Sequence, residues 1–315
     1  MTAALPAGLT VRPAELGDAE VITAQMGAYT SGLLGFPKHS LENVADYLQD
    51  PSMELATGSW LVFDGEQLVG SATAVLTGAR PYVGLDVFAA DPGVAAWLLD
   101  TASARGIELA RAADWPVSEL HVGQLRQDEV FEGLLVERGF ARETSVQLMR
   151  IDHTAPVDVP EPPSGVKLRV GAYDDATRRV VHGLIGDAFA TQPSSGPRPY
   201  DEWLASHESR TTFDWSQMTI AELDGVAVGM RECNGEFVSS YDCNYIGRLG
   251  VLESGRGRGI AKYLLREQFA RDQAAGLSGT MLHVDSSNPT PAVGLYLGVG
   301  MRPTVITDIW GRQIG

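Results

Sequence analysis

Within residues 254–265, SGRGRGIAKYLL, two arginines and two glycines (Arg256, Gly257, Arg258 and Gly259) stand directly ahead of an apolar-periodic run that starts with Ile260 and Ala261. The first N–H groups of a helix have no intrahelical partner, and the helix dipole adds partial positive charge to them. Glycines let the backbone approach a ligand closely, and arginines meet phosphate charge. A phosphorylated ligand is the natural occupant of such a turn. The run lacks the third glycine of a dinucleotide fingerprint, and no early βαβ unit with a following acidic residue accompanies it. It also lacks the Gly-Lys-Ser/Thr end of a nucleoside triphosphate loop, so neither a nicotinamide cofactor nor a magnesium-dependent kinase reaction is expected.

The elements around the loop follow from periodicity. NYIGRLGVL (244–252) reads as a strand, the residues after the glycines as a helix, and GTMLHVDSS (279–287) as a second strand. Ile260, Leu264, Leu265 and Phe269 recur at helical spacing and form the expected buried stripe. The anion loop therefore joins a strand to a helix.

The proline-rich stretch 152–165 carries no apolar period and reads as a semi-rigid linker. It divides the chain into residues 1–151 and 166–315, and these repeat one plan. Each half opens with a strand and an amphipathic helix. Each continues with a hairpin of alternating apolar residues around an Asp-Gly turn, SWLVFDGEQLVGSATAV in one and MTIAELDGVAVGMREC in the other. The expected architecture is a tandem duplication of a mixed α/β domain with an α+β mixed sheet. The first copy lacks the loop: FAADPGVAAWLL stands there, with Gly93 and no arginine, and Phe131 and Leu135 occupy its later helix.

Composition narrows the class further. A formal net charge of −16 over 315 residues argues against a general nucleic-acid binder. No apolar run reaches membrane-spanning length and the start does not read as a signal peptide, so no membrane partner and a cytoplasmic location are expected. Two cysteines, Cys233 and Cys243, are too few for a disulfide framework, and six scattered histidines form no metal-binding motif. No metal is expected.

RGRGIA (256–261) is similar to the pyrophosphate signature of the GNAT family of N-acetyltransferases, and LGVL resembles the strand ahead of it. NPTPAVGLYLGVGM (288–301) resembles the family's second motif. The resemblance covers both halves, as two tandem GNAT-like acyl-CoA N-acyltransferase domains in the arrangement of the mycothiol synthases, the first degenerate and the second catalytic. It implies acetyl-CoA as cosubstrate. The strand is then splayed from the next so that the pantetheine arm lies between them, with Asn288 touching the CoA arm and Tyr296 near the sulfur.

Such chemistry needs a neutral amine, a polarised thioester carbonyl and a proton for the departing thiolate. Backbone N–H groups near Leu249, Gly250 and Val251 are the expected oxyanion donors, and Tyr296 the general acid. The base is left among Glu232 acting through water, Tyr245, Glu236, Asp242 and His283. Tyr245 stands where mycothiol synthases carry a glutamate, a departure from their pattern. Arg198, Tyr200 and Trp203 fall where the family's variable helix-loop covers the acceptor. The expected reaction is direct transfer of an acetyl group to the primary amine of a small molecule. Acetylation of the cysteinyl amine of desacetylmycothiol is the alternative enzyme, and a CoA-binding sensor without turnover the alternative of another class.

Overall fold

The computed structural model describes residues 3–155, 160–190, 198–287 and 292–315. The chain divides into two units, Met1–Val146 with Ile306–Gly315, and Gln147–Val305. This differs from the division at residues 152–165: the closing strand folds with the first unit, and the second begins at Gln147 inside a strand.

The first unit runs β1 (Thr10–Arg12), α1 (Ala19–Leu34), α2 (Leu41–Leu48), α3 (Leu55–Gly58), β2 (Ser59–Asp64), β3 (Gln67–Val75) and β4 (Tyr82–Ala89). It continues with α4 (Pro92–Ala112), β5 (Glu119–Leu125), α5 (Glu129–Glu137) and β6 (Ala141–Asp152), whose last six residues belong to the second unit. The second unit then runs β7 (Val166–Val170), α6 (Asp175–Phe189), α7 (Tyr200–Glu208), β8 (Met218–Leu223), β9 (Val226–Asn234) and α8 (Val238–Tyr241). After these come β10 (Cys243–Val251), α9 (Ile260–Ala274), β11 (Gly279–Asp285), α10 (Ala292–Gly298) and β12 (Arg302–Gln313). Both units are mixed α/β. No helix among the described residues is long and apolar enough to cross a membrane.

In each unit the strands build outward from a tight hairpin. Asp224 and Gly225 both take positive φ (50° and 85°), the geometry of a two-residue turn whose twist matches its strands, and so set the β8–β9 register. The matching β2–β3 hairpin turns at Gly65 (φ 59°). In the first unit the neighbours run β1-β2-β3-β4-β5-β12, and in the second β6-β11-β10-β9-β8-β7. Parallel pairing occurs where a helix makes the crossover: β4 with β5 through α4, and β10 with β11 through α9.

The expected stripe on α9 is in place, with Ile260, Leu264, Leu265 and Phe269 all buried. In the first unit Leu98, Leu99 and Ala102 of α4 pack on Val83, Leu85, Leu120 and Val122. Trp310 of β12 joins this core, only 5% exposed, and its indole N–H donates to Gln124 Oε1 at 3.1 Å. Asp308, nearly buried beside it, accepts from Arg126 Nη2 at 2.6 Å and from Ser145 at 2.6 Å.

The closing strand thus carries part of the first unit's core. Trp310→Ala is expected to lower that unit's stability by about 3–5 kcal/mol, the usual cost of truncating a buried aromatic. Urea unfolding checks it, the expected result being a lower midpoint at unchanged slope.

Candidate active site

Strand β10 has a partner on each side only at its start. Its parallel register with β11 covers Cys243–Gly279 to Ile246–Leu282 and ends there, while β10 runs on to Val251 and β11 to Asp285. On its other side β10 stays paired with β9 as far as Val251–Gly229, with an irregularity between Ile246 and Arg248. Leu252 N donates to Val228 O at 2.8 Å, so strand alternation turns Gly250 toward β9. Leu249 and Val251 then direct their N–H and C=O groups to the edge facing away from β9. Among the called cofactor residues, Leu249, Gly250 and Val251 therefore sit where a strand has parted from its neighbour.

Gly250 lies against the end of α6. A Cβ there would stand 2.8 Å from the Ala188 Cβ and 3.2 Å from the Phe189 ring, so only glycine fits.

Beyond Val251 the chain makes a 3-10 turn, Glu253–Gly255, and enters the loop. Gly257 and Gly259 take φ of 73° and 79°, the left-handed region that a β-carbon disfavours by roughly 1–2 kcal/mol. The first intrahelical bond of α9 runs from Tyr263 N to Gly259 O. The N–H groups of Ile260, Ala261 and Lys262 therefore come before any i−4 carbonyl within the helix. Arg256, Gly257, Arg258 and Gly259 are exposed, and Arg256 Nε is anchored to Val251 O at 3.2 Å. The loop presents unpaired N–H groups, helix-dipole charge and two guanidinium groups to solvent, a cradle that fits a pyrophosphate. Asn288 lies outside the described residues.

Tyr296 of α10 is 8% exposed and belongs to one apolar cluster with Ile246, Leu282 and Val284, with Leu249 packed against it. It therefore stands at the fork where β10 and β11 part. Burial pushes its phenol up to about 12, and its hydroxyl has no hydrogen-bond partner among the described residues. A phenol in that state keeps its proton until something takes it.

The opposite face of β10 is polar. Glu232 of β9, paired with Arg248, is 1% exposed. Its carboxylate accepts from Arg248 Nη1 at 2.7 Å, lies 3.3 Å from His207 Nε2 and 3.9 Å from Arg210 Nη1. Burial alone would raise its proton affinity, but Arg248, His207 and Arg210 outweigh that and hold it well below the usual carboxylate range. Glu232 is an anchored anion rather than a proton acceptor.

Tyr245 of the same strand shares a hydrogen bond of 2.8 Å with His283 Nδ1 across to β11, and Phe237 packs edge-on against it. Burial drives this phenol far above its ordinary range, so it too stays protonated. Asp242, at φ 52°, ends α8, and its carboxylate accepts from Ser278 N at 3.1 Å.

The acceptor-facing expectation for Trp203 is corrected. It is 2% exposed and packs among His207, Trp215 and Tyr200, an aromatic core under β8 and β9. Tyr200 donates to Asp175 at 2.7 Å under the Arg179 guanidinium. Phe213 and Trp215 pack against the same cluster.

The first unit repeats this frame and fills it with its own groups. Its parallel pairing also ends early, at Leu85–Val122. At the N-terminus of α4, Asp91 accepts from Val94 N at 2.9 Å, and Pro92 has no N–H to offer. A Cβ on Gly93 would stand 3.2 Å from Pro6 Cγ, so the N-terminal segment lies over this helix end. Past the last β4–β5 pair, Gln25 of α1 donates to Phe88 O at 2.9 Å and accepts from Ser71 at 2.9 Å. Phe131 and Leu135 are buried in the first unit's core.

Comparison with known proteins agrees with this frame. Residues 184–301, within the second unit, match the Acetyltransferase (GNAT) family. A mycothiol acetyltransferase from Thermobispora bispora is 29% identical over 180 residues, 55% of this chain and 59% of that protein. One from Frankia casuarinae is 29% identical over 67% of this chain and 64% of its own length. One from Frankia alni is 32% identical over 53% and 52%. The chain thus spans between about half and two thirds of the curated relatives it matches. Among solved structures, a GCN5-related N-acetyltransferase from Sphaerobacter thermophilus shares the fold over 98% of this chain and 97% of that one, at a TM-score of 0.81 and 21% identity. A tandem GNAT protein from the clavulanic acid biosynthesis pathway does so over 98% and 99%, at 0.71 and 18%. The tandem GNAT fold accounts for the whole chain.

Because Glu232 is depressed in the folded state, its stabilisation is complete above the ordinary carboxylate value of about 4.3 and is lost as pH falls through that value toward the folded one. Glu232→Gln leaves Arg248 and Arg210 without their anion and is expected to cost about 3 kcal/mol at neutral pH. Denaturant unfolding from pH 7 to pH 3 checks this: the wild type should lose stability across the acid range, and the difference from the variant should shrink there.

Proposed function

We propose that the chain is an acetyl-CoA-dependent N-acetyltransferase acting on the primary amine of a small molecule, with its one site in the second unit. The observation that carries this reading is the parting of β10 from β11 after Ile246 and Leu282, directly ahead of the glycine-arginine turn into α9. A long thioester with a diphosphate at one end needs these two features in succession: a gap between strands for an extended arm, and a helix N-terminus for the phosphates.

The roles follow from the geometry. The N–H groups of Ile260, Ala261 and Lys262, with Arg256 and Arg258, hold the pyrophosphate. The outward N–H of Leu249 meets the thioester carbonyl, where negative charge develops as the amine attacks. Tyr296, which keeps its proton, gives it to the departing thiolate. His283, hydrogen-bonded to Tyr245 through Nδ1, takes the proton of the attacking amine. Tyr245, itself unable to ionise near neutrality, positions His283. Glu232 fixes Arg248 beside the reacting centre. Fixing amine and thioester side by side accounts for much of the remaining rate.

A more specific reading has its own support. Several relatives are named mycothiol acetyltransferases, so the cysteinyl amine of desacetylmycothiol is the first acceptor to try.

Calorimetric titration with acetyl-CoA, followed by thiol release with desacetylmycothiol and a panel of other amines, tests the assignment. One site per chain is expected. Gly259→Asp puts a carboxylate at the helix N-terminus, as Asp91 does in the first unit, and should abolish binding. Tyr296→Phe should retain acetyl-CoA affinity and lower turnover about 100-fold. Absence of binding to the wild type would refute the reading, and binding without turnover on any amine would leave a sensor.

A further inference from the structure

We propose that Glu119, His121 and Glu143 of the first unit form a binding site for Zn2+. The three residues are 24 positions apart at the extremes and lie on two strands, so no spacing motif announces them. Glu119 and His121 are i, i+2 on β5 and share a face. Between β5 and β6 runs β12, with Gly311 opposite His121 in the ladder. A Cβ on Gly311 would fall within bonding distance of a Glu143 carboxylate oxygen, so the missing side chain is what lets Glu143 reach across the strand to His121.

The donor atoms converge. His121 Nε2 lies 3.0 Å from Glu119 Oε2 and 3.2 Å from Glu143 Oε2, and one ligand atom from each residue falls within 4.8 Å of the others. Tetrahedral zinc with N and O ligands at 2.0–2.1 Å sets its ligands about 3.3 Å apart, so both separations from His121 are close to what the ion requires. Two supports fix the donors. The Tyr82 ring stacks on His121 at 4.1 Å and 8°, and the Gln313 amide donates to Glu119 Oε1, leaving Oε2 for the centre.

The donor set chooses the ion. One imidazole and two carboxylates suit zinc, whereas magnesium and calcium favour oxygen alone. Glu143 is the most exposed of the three, so the fourth position opens to water. Such a site ties β5 to β6 across β12, the strand that completes the first unit.

The test uses the full chain, freed of any affinity tag and treated with chelator, titrated with Zn2+ alone by calorimetry at neutral pH. One Zn2+ per chain is expected, together with a rise in the thermal midpoint as free Zn2+ exceeds its dissociation constant. His121→Gln should weaken binding by at least about tenfold. Glu143→Gln, at a partly exposed position that does not threaten folding, and Gly311→Ala, which displaces Glu143 alone, should do the same. No Zn2+ bound by the wild type, or binding unchanged in Glu143→Gln and His121→Gln, would overturn the proposal.

Discussion

The structure turns on a strand that loses its neighbour. A backbone N–H or C=O inside a protein must find a partner, since leaving one bare costs free energy comparable to a lost hydrogen bond. Where β10 parts from β11 after Ile246, the chain creates a row of such groups on the edge of Leu249 and Val251. Arg256 takes up one of them, the Val251 carbonyl, from within the loop that follows. The rest of the edge is an invitation to a ligand with amide groups of its own. Gly250 lets α6 close on the strand, and the fork is walled by Ile246, Leu282 and Tyr296.

The first unit shows the same constraint resolved without a ligand. There too the parallel pair ends early, but Gln25 reaches from α1 to the Phe88 carbonyl, Tyr29 donates to Asp128 at 2.6 Å, and Asp91 caps the helix whose N-terminus would otherwise attract an anion. Where the second unit has exposed glycines and arginines, the first has side chains bonded to its own backbone, Gln25 at the Phe88 carbonyl and Asp91 at the Val94 N–H.

The hairpins, the α9 stripe and the glycine turn ahead of α9 were legible because each is a local rule: turn geometry, helical period and glycine at positive φ. The path of the last strand was not. TVITDIWGRQ reads as an ordinary alternating strand of whichever half it follows, and nothing local says that Trp310 and Asp308 complete the first unit. The role of Glu232 was equally hidden, for a carboxylate is a base or an anchor according to its neighbours, and Arg248 and His207 lie 16 and 25 positions away in sequence. Charge is also buried on α9, Glu267 against Arg231 at 2.8 Å and Asp272 accepting from Asn244, Gln268 and Thr280.

Those buried charges explain how a strand with one free edge keeps its position. Arg231 sits on the α9 face of β9, bonded to Glu267 and to the Leu264 carbonyl, while Glu232, the next residue, faces the other way and holds Arg248 of β10. Asn244, near the start of β10, is tied through Asp272 to α9 and β11. Two of these ties hold β10 itself, Asn244 at its paired end and Arg248 along β9, and neither lies beyond the fork on the β11 side. Breaking any one leaves a charge or amide buried without a partner, which is more costly than the tie is stabilising. From Leu249 onward the strand is held by its ladder on the β9 side alone.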